Sequence, residues 1–196
     1  MKLDFIQIGA NIGNLDDFIG LKIQSQEIKN GIFIEPNPKC VEILKTKFNN
    51  SSYFIEQIAI KHYCGTTILY VDHFDTPGHY SQIASTKDNF TKNHPWSRDS
   101  ELTEIEVKCE TIENLWQRYN LDYVKYLCID TEGSDFEILI NTNFSKLNIE
   151  TVFFEHMHTD GVNQTGPNYE LLKEHFIKHG YHSIQVSGGD TIVKKN

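Results

Sequence analysis

Four apolar runs of the sequence are each followed by residues that could bind a cofactor or move a proton. In chain order, the runs are followed by the glycine-rich segment 9–13, by Glu35, by Asp130 and by Glu155. Short apolar runs are typical of buried parallel strands, whose carboxyl ends meet at one edge of a sheet. The sequence therefore predicts one ligand-binding edge that gathers all four segments.

The first two segments indicate a site for the adenosine part of a cofactor. The sequence GANIG places glycines between a strand and a helix, where the backbone can come close to a ligand. Glu35 ends the next strand, and its carboxylate could accept hydrogen bonds from both hydroxyls of a ribose. By itself GANIG is also explained as a tight strand–helix turn. The missing GxGxxG spacing counts against a nicotinamide-dependent oxidoreductase, which stays an alternative.

The last two segments hold carboxylates and a histidine that suit proton transfer. Asp130 and Glu132 stand two residues apart on one turn, where they could orient a hydroxyl, take its proton or hold a divalent cation. Glu132 is also compatible with a helix N-terminus that merely favours acids. We expect His156 or Asp130 to act as the base, because an imidazole titrates near neutral pH. Glu132 and Glu155 would position the acceptor or a metal.

A metal ion at this edge is left open by the sequence. Asp130, Glu132, Glu155 and His156 form an oxygen-rich set that suits Mg²⁺, Ca²⁺ or Mn²⁺ better than a soft metal. Carboxylates at this edge serve equally well as hydrogen-bond partners of a cofactor amino group or of sugar hydroxyls. We therefore expect catalysis by a general base without a metal, and we assign no metal ligands.

The elements that must position these residues alternate between strand and helix. This order predicts a parallel sheet with helices on both faces. Asn37 and Pro38 predict a capped helix start, Ser134 and Glu137 predict a capping box, and Gly188-Gly189 predicts a hairpin. The predicted strands are 4–8, 31–35, 53–60, 66–71, 105–109, 124–129, 150–155, 181–186 and 191–194, and the bounded helices are 15–29 and 168–179.

A polar stretch interrupts this order at about 73–103. A connection of this length in a compact domain is typically a lid or a binding loop. His79, His94 and Trp96 lie in it and are candidates for recognition of an acceptor, since aromatic faces suit sugars. The alternative is an insertion that is simply solvated.

Composition and charge limit the classes of protein and partner. The 196 residues, 39% of them hydrophobic, predict one domain over 1–196. A formal charge of −9 disfavours binding to nucleic acid or to an anionic membrane surface. The sequence has neither an apolar run of the length that spans a bilayer nor the pattern of a signal peptide, so we expect a cytoplasmic protein.

Taken together, the motifs resemble a known family. The segments IQIGANIG, FIEPNP, IAST, VKCETIENL, CIDTEGSDFEIL and FFEHMH, in this order, are similar to those of the FkbM-type S-adenosylmethionine-dependent methyltransferases. The resemblance runs from Asp4 to about Asp190. It implies a Rossmann-like class I methyltransferase fold, α/β, with a seven-stranded, mostly parallel sheet whose last strand is antiparallel. It also implies methyl transfer, usually to a hydroxyl.

The resemblance further implies which residues contact S-adenosylmethionine. Segment 9–13 would face the methionine part, Glu35 the ribose, and residues 57–59 the adenine. In many members Asp stands where this chain has Gln7, whose amide oxygen accepts a hydrogen bond but brings no charge to the cofactor's ammonium group. The complete set of expected cofactor contacts is Gln7, Gly9, Ala10, Asn11, Gly13, Glu35, Pro36, Asn37, Gln57, Ile58, Ala59 and Asp130.

The expected activity is therefore O-methylation of a small hydroxylated acceptor, such as a sugar, a glycan unit or another metabolite, with S-adenosylmethionine as methyl donor. The alternatives are a methyltransferase-like scaffold that holds the cofactor without turnover and the oxidoreductase named above. The sequence leaves the acceptor's identity and the oligomeric state open.

Overall fold

Strands and helices alternate along most of the chain, as the apolar runs predict. The computed structural model describes residues 1–72, 83–97 and 102–195. Its elements are β1 Lys2–Ile8, α1 Phe18–Gln24, β2 Gly31–Ile34, α2 Pro38–Lys47, β3 Tyr53–Glu56, β4 Ala59–Ile60, β5 Gly65–Asp72, α3 Asp88–Asn93, β6 Leu102–Glu110, α4 Ile112–Arg118, β7 Tyr123–Ile129, α5 Asp135–Asn141, β8 Ile149–Glu155, α6 Pro167–Lys178, β9 Tyr181–Ser187 and β10 Asp190–Lys195.

Seven strands form the main sheet, in the order β3-β2-β1-β7-β8-β10-β9. The pairs from β3 to β8 are parallel, whereas β10 runs antiparallel to both β8 and β9. The hairpin between β9 and β10 turns at Gly188, whose φ of 58° lies in the left-handed region that glycine adopts without strain. The expected α/β fold, with a mostly parallel sheet and an antiparallel last strand, is confirmed.

Alternate side chains of the central strands bury two separate cores. Ile6 of β1 packs in a core with residues of α4, α5 and α6, whereas the adjacent Phe5 packs in a core with residues of α1 and α2. Because side chains alternate between the two faces of a strand, both faces of these strands must be apolar. The helices therefore cover both faces of the sheet, as expected.

The strands at the centre of the sheet end at one level. Ile8 of β1 pairs with Ile34 of β2 and with Ile129 of β7, and Ile129 pairs with Phe154 of β8. The residue that follows each of these four therefore lies at the same edge of the sheet. This register aligns Gly9, Glu35, Asp130 and Glu155 across four adjacent strands.

A second sheet, of three strands, lies outside the main one. Its order is β4-β6-β5, and its apolar side chains form a core of their own. The predicted strand 53–60 is wrong in its extent, because the chain leaves the main sheet after Glu56 and joins the small sheet at Ala59. The sequence pattern of 53–60 does not reveal this break, because the residues on both sides of it form strands and have the apolar character of strands.

Two predicted helix details are also wrong. Helix α1 begins at Phe18, after the Asp17 cap, and ends at Gln24, so it is shorter than the predicted 15–29. Ser134 stands at the N-cap of α5 without a capping hydrogen bond from its side chain. Its hydroxyl instead pairs with Thr86 at 2.9 Å, and Glu137 pairs with Lys61 at 3.2 Å. Tertiary partners therefore replace the capping box.

The polar stretch 73–103 is only partly described. Within it lie helix α3 and the first residues of β6, both of which the sequence prediction missed. His94 and Trp96 are described, whereas His79 lies outside the described residues. Among the described residues, no helix has both the length and the apolar character needed to cross a membrane.

Two adjacent leucines of α6 test how much the helix–sheet core contributes to stability. Leu172 is fully buried, whereas Leu171 is 49% exposed. Leu172→Ala should lower the free energy of unfolding by about 2–5 kcal/mol, because it removes buried methyl groups and leaves a cavity. Leu171→Ala should change it by less than about 0.5 kcal/mol. Urea unfolding followed by circular dichroism measures both, and equal losses would contradict the burial of this face.

Candidate active site

A cavity of about 290 Å³ opens at the edge where the central strands end. Nine of the expected cofactor contacts line it, namely Gln7, Gly9, Ala10, Asn11, Glu35, Pro36, Ile58, Ala59 and Asp130. Gly13, Asn37 and Gln57 are not among its lining residues. Glu132, Asp17 and Trp96 also line the cavity. The small sheet contributes Ala59, Ile60 and Leu69, so this sheet forms an apolar wall of the site.

Glu35 links the GANIG turn to the start of helix α2 through two hydrogen bonds. One carboxylate oxygen accepts a hydrogen bond from the backbone N–H of Asn11, and the other accepts one from Asn37, both at 2.8 Å. Each oxygen of an ionised carboxylate can accept more than one hydrogen bond. Glu35 therefore holds the glycine-rich turn in place at the edge of the cavity.

The amide oxygen of Gln7 has no hydrogen-bond partner among the residues that the structure describes. Its amide nitrogen donates to Asp17 at 2.9 Å, which fixes the orientation of the amide. The amide oxygen is buried without a partner. Asp17 also accepts a hydrogen bond from Gly20 and so caps helix α1. A buried acceptor of this kind is costly unless a donor satisfies it, so this part of the cavity suits a ligand with an N–H group.

The two glycines of the GANIG turn have different environments. Gly9 has a φ of +75°, and a Cβ there would lie 1.7 Å from the carbonyl oxygen of Asp130. Glycine at this position therefore allows close approach of two backbone segments. Gly13 packs instead towards Phe48 and Leu44 of α2, where a Cβ would collide with both side chains. The structure thus places Gly13 in the packing between turn and helix, away from the cavity.

Three carboxylates converge beside the cavity. One oxygen each of Asp130, Glu132 and Glu155 lies within 4.8 Å of the others, and we call these residues the acidic cluster. Asp130 and Glu155 reach the cluster from neighbouring strands, and Glu132 reaches it from a residue with φ of +53°. One oxygen of Glu155 is buried without a hydrogen-bond partner. The expected meeting of these three side chains at one edge is therefore present.

Crowding changes the acidity of the cluster. Desolvation by the surrounding protein and the neighbouring carboxylates of Asp135 and Asp190 raise the pKa of Asp130, which is exposed to the cavity, to about 7. Burial, followed by the charges of Asp130 and Asp135, raises the pKa of Glu155 to about 9. The pKa of Glu132 is also well above its usual value, for the same two reasons. Near neutral pH the cluster therefore retains protons that isolated carboxyl groups would lose.

The structure does not bring His156 into the cluster. Its ring is stacked on Tyr169 with centroids 4.8 Å apart, and its Nδ1 pairs with the Thr191 hydroxyl at 3.1 Å. His158, two residues later, comes close instead, with Nε2 3.6 Å from Glu155. His94 also approaches Glu132 and His158, with one candidate ligand atom of each within 4.8 Å. The sequence offers both His156 and His158 at the end of β8, and the choice of His156 as the base could not take account of the turn after β8, which brings His158 to the cluster.

A short segment before α3 holds the loop that carries Glu132. The hydroxyl of Ser85 donates to the carbonyl of Glu132, and the ammonium of Lys87 donates to the carbonyl of Gly133, both at 2.7 Å. Gly133 has a φ of +91°, and a Cβ there would collide with Phe90. These contacts fix a backbone conformation that a non-glycine residue such as Glu132 rarely adopts.

Among the described residues, two sets of side chains have the chemistry to hold a metal ion. The acidic cluster offers three carboxylates, and His94, Glu132 and His158 offer two imidazoles and a carboxylate. His156, which the sequence placed in such a set, belongs to neither. Crowded acids without a metal are common, so this geometry alone assigns no ion.

Comparisons with known proteins identify relatives of the chain. A family model described as "Methyltransferase FkbM domain" matches residues 7–182. A comparison with curated proteins finds no match. Among solved structures, the chain resembles a crystal structure of methyltransferase FkbM from Methylobacillus flagellatus, with a TM-score of 0.57 and 12% sequence identity. The alignment covers 99% of this chain and 44% of that chain, so this chain spans less than half of that protein's length.

The raised pKa values make stability depend on pH. A carboxyl whose pKa is higher in the folded than in the unfolded chain stabilises the fold when protonated, and this stabilisation is lost as pH rises towards the folded pKa. The free energy of unfolding should therefore fall between about pH 6.5 and pH 8.5, and Glu155→Gln should flatten this slope. Urea titrations across this range measure it, with the exposed Glu42→Gln as control. An unchanged slope in Glu155→Gln would contradict the raised pKa.

Proposed function

The chain belongs to the FkbM methyltransferase family, and on this premise we propose that it transfers the methyl group of S-adenosylmethionine to a hydroxyl oxygen of a small acceptor. The acceptor class that we propose is a sugar, a glycan unit or a similar hydroxylated metabolite. Family membership supports the methyltransferase activity. The activity, the cofactor, the hydroxyl acceptor and the residue roles below are the proposal.

The observation that carries the cofactor assignment is the unpartnered oxygen of Gln7. The ammonium group of S-adenosylmethionine supplies N–H donors, which would satisfy this buried acceptor. Gln7 itself carries no charge, but its amide nitrogen donates a hydrogen bond to the carboxylate of Asp17 at 2.9 Å. A negatively charged group therefore lies next to Gln7. The departure from the Asp found in many relatives is thus compatible with binding of a cationic amino acid group.

The rest of the cavity suits the adenosine part. Glu35 stands at the end of β2 with carboxylate oxygens that can accept from ribose hydroxyls. Pro36, Ile58 and Ala59 offer apolar surface for the faces of a base. Gly9 has no Cβ, so the GANIG turn can pass close to the backbone of Asp130. These features would also hold the adenosine of NAD, so the Gln7 region, which suits an ammonium group, distinguishes the two cofactors.

When bound, the sulfonium group of the cofactor supplies an already activated methyl. The protein then has to align the acceptor oxygen and accept its proton. Asp130 and Glu132 both line the cavity, and a pKa of about 7 suits Asp130 to take a proton near neutral pH. The acidic cluster therefore replaces His156 as the proposed proton acceptor. Turnover with a hydroxylated acceptor, measured as release of S-adenosylhomocysteine, tests the activity and excludes a scaffold that only binds.

Removal of the Gln7 oxygen should weaken only ligands that carry the amino acid group. Gln7→Leu should reduce the affinity for S-adenosylhomocysteine by roughly tenfold to a hundredfold, because a hydrogen bond to a charged group is lost. The affinity for 5′-methylthioadenosine, which lacks that group, should stay unchanged. Isothermal titration calorimetry with both ligands and with NAD measures this. An equal loss for the two adenosine ligands would contradict the role of Gln7, and tight NAD binding would favour the oxidoreductase.

Glu35→Gln should give the complementary result. The variant keeps the shape of the side chain but removes the charge that faces the ribose. Both S-adenosylhomocysteine and 5′-methylthioadenosine should bind roughly tenfold or more weakly, because both contain the ribose. Calorimetry gives the affinities. A thermal melt checks the loops that Glu35 links, since Glu35 also accepts hydrogen bonds from Asn11 and Asn37. Unchanged affinity for both ligands would remove Glu35 from the binding site.

A further inference from the structure

A second, larger cavity adjoins the first one on the side of α3. Its volume is about 970 Å³, and it lies between α3 and the segment 158–168, which comprises most of the connection after β8 and the start of α6. We call it the polar cleft. Neither the sequence motifs nor the family match assigns a role to the segment 158–168.

The acidic cluster stands where the two cavities meet. Glu132 lines the first cavity, and the next residue, Gly133, lines the polar cleft. His158 lines the cleft as well, with one nitrogen within 4.8 Å of a Glu132 oxygen. Thr86 lines both cavities. A molecule in the cleft can therefore reach the carboxylates that border the first cavity.

Backbone hydrogen bonds fix the tautomers of the two histidines at this junction. The N–H of Asn163 donates to Nδ1 of His158 at 3.0 Å, and the N–H of Trp96 donates to Nδ1 of His94 at 3.2 Å. A backbone N–H can only donate, so Nδ1 of each ring must carry the lone pair. In the neutral rings the proton is then on Nε2. Burial lowers the pKa of both rings, that of His158 to about 4 with a contribution from His94.

These tautomers disfavour a metal ion at His94, Glu132 and His158. A metal bound by Nε2 needs the lone pair on that nitrogen, and both Nδ1–backbone bonds would have to break. With the proton on Nε2, His158 instead directs a hydrogen-bond donor towards the acidic cluster. A hydroxyl group matches this pair, because it can accept from an imidazole N–H and donate to a carboxylate.

The remaining surface of the polar cleft also offers both hydrogen-bond donors and hydrogen-bond acceptors. Five of its residues carry a carboxamide, which both donates and accepts, namely Asn89, Asn93, Asn163, Gln164 and Asn168. Phe90 adds an aromatic ring to the wall. Carboxamides and an aromatic face together suit a ligand with several hydroxyls on an apolar ring.

The charges around the cleft disfavour an anionic ligand. Asp88 and Asp160 line it, whereas Lys87, whose ammonium group donates to the carbonyl of Gly133, supplies one opposing positive charge. A phosphate or carboxylate on the ligand would therefore meet more negative than positive charge.

We propose that the polar cleft binds the methyl acceptor as an uncharged polyhydroxyl compound of the sugar class, with the reacting hydroxyl between His158 and the acidic cluster. This inference rests on the proposed function. In that pose the hydroxyl oxygen would bond to the methyl carbon of S-adenosylmethionine as the methyl–sulfur bond breaks. S-adenosylhomocysteine would be released, and the hydroxyl proton would pass to one ionised carboxylate of the acidic cluster. His158 acts as a donor that orients the oxygen.

The first test concerns the histidines and needs no ligand. Long-range ¹H–¹⁵N NMR spectra of the uniformly labelled protein near neutral pH should show His158 and His94 as neutral rings protonated at Nε2. Addition of Zn²⁺ or Mn²⁺ should leave the His158 and His94 signals in place. A proton on Nδ1, a doubly protonated ring or specific metal binding at these nitrogens would overturn the proposal.

The second test concerns the ligand class. Saturation-transfer NMR should detect millimolar binding of methyl α-D-glucopyranoside or myo-inositol, with much weaker signals from glucose 6-phosphate and glucuronate. The double variant Asn89→Ala/Gln164→Ala, which changes both walls of the cleft, should weaken binding of the neutral compounds roughly tenfold. The matched control Asn49→Ala/Gln185→Ala removes the same side-chain types from exposed positions outside both cavities.

The outcomes separate this proposal from the proposed function. Calorimetry with S-adenosylhomocysteine on the same preparations reports the cofactor site. If that ligand binds but no neutral compound does, or if charged compounds bind better, the polar cleft is not the site of an uncharged polyol. Equal binding of neutral compounds by the two double variants would also overturn the proposal. If S-adenosylhomocysteine does not bind, the proposed function itself is wrong.

Discussion

The common level at which four neighbouring strands end is the constraint on which the rest of the site depends. Hydrogen bonds between parallel strands fix Ile34, Ile8, Ile129 and Phe154 side by side. A shift of one residue in any strand would turn its side chains to the opposite face of the sheet and bury the wrong set. The apolar residues on both faces thus fix the register, and the register in turn brings the glycine turn and the carboxylates to one edge.

This edge concentrates negative charge at a cost in stability. Three carboxyl groups within 4.8 Å of one another cannot all be ionised without strong repulsion, and their pKa values are raised accordingly. The fold tolerates this because the surrounding loops are held by other contacts. Ser85 and Lys87 hold the backbone of the loop that carries Glu132, and Thr131 donates to Asp135 behind it. Such strain is typical of residues that are kept for binding or chemistry.

Most of the fold and part of the site could be predicted from local patterns. Apolar runs located the central strands, and the Asn37-Pro38 pair located the start of α2. The predicted start of α1 overlooked the local cap at Asp17. The capping box was wrong because Thr86 and Lys61, which lie far away in sequence, pair with Ser134 and Glu137. The sequence also does not show that His158, rather than His156, lies beside the acidic cluster. Side-chain direction after the end of β8 depends on the path of the 158–168 segment, which is packed against α3 by tertiary contacts.

The sequence by itself determined the α/β class and the strands that are apolar on both faces. It also determined that Glu35, Asp130 and Glu155 lie at strand ends. These features follow from periodicity and from residue types that lie close in sequence. Only the tertiary structure decided which groups meet. The pairing of Gln7 with Asp17, the three-stranded sheet beside the cavity, and the contact of His158 with the acidic cluster join residues from separate elements. Their positions depend on how whole elements pack, and packing is a property of the complete chain rather than of any segment.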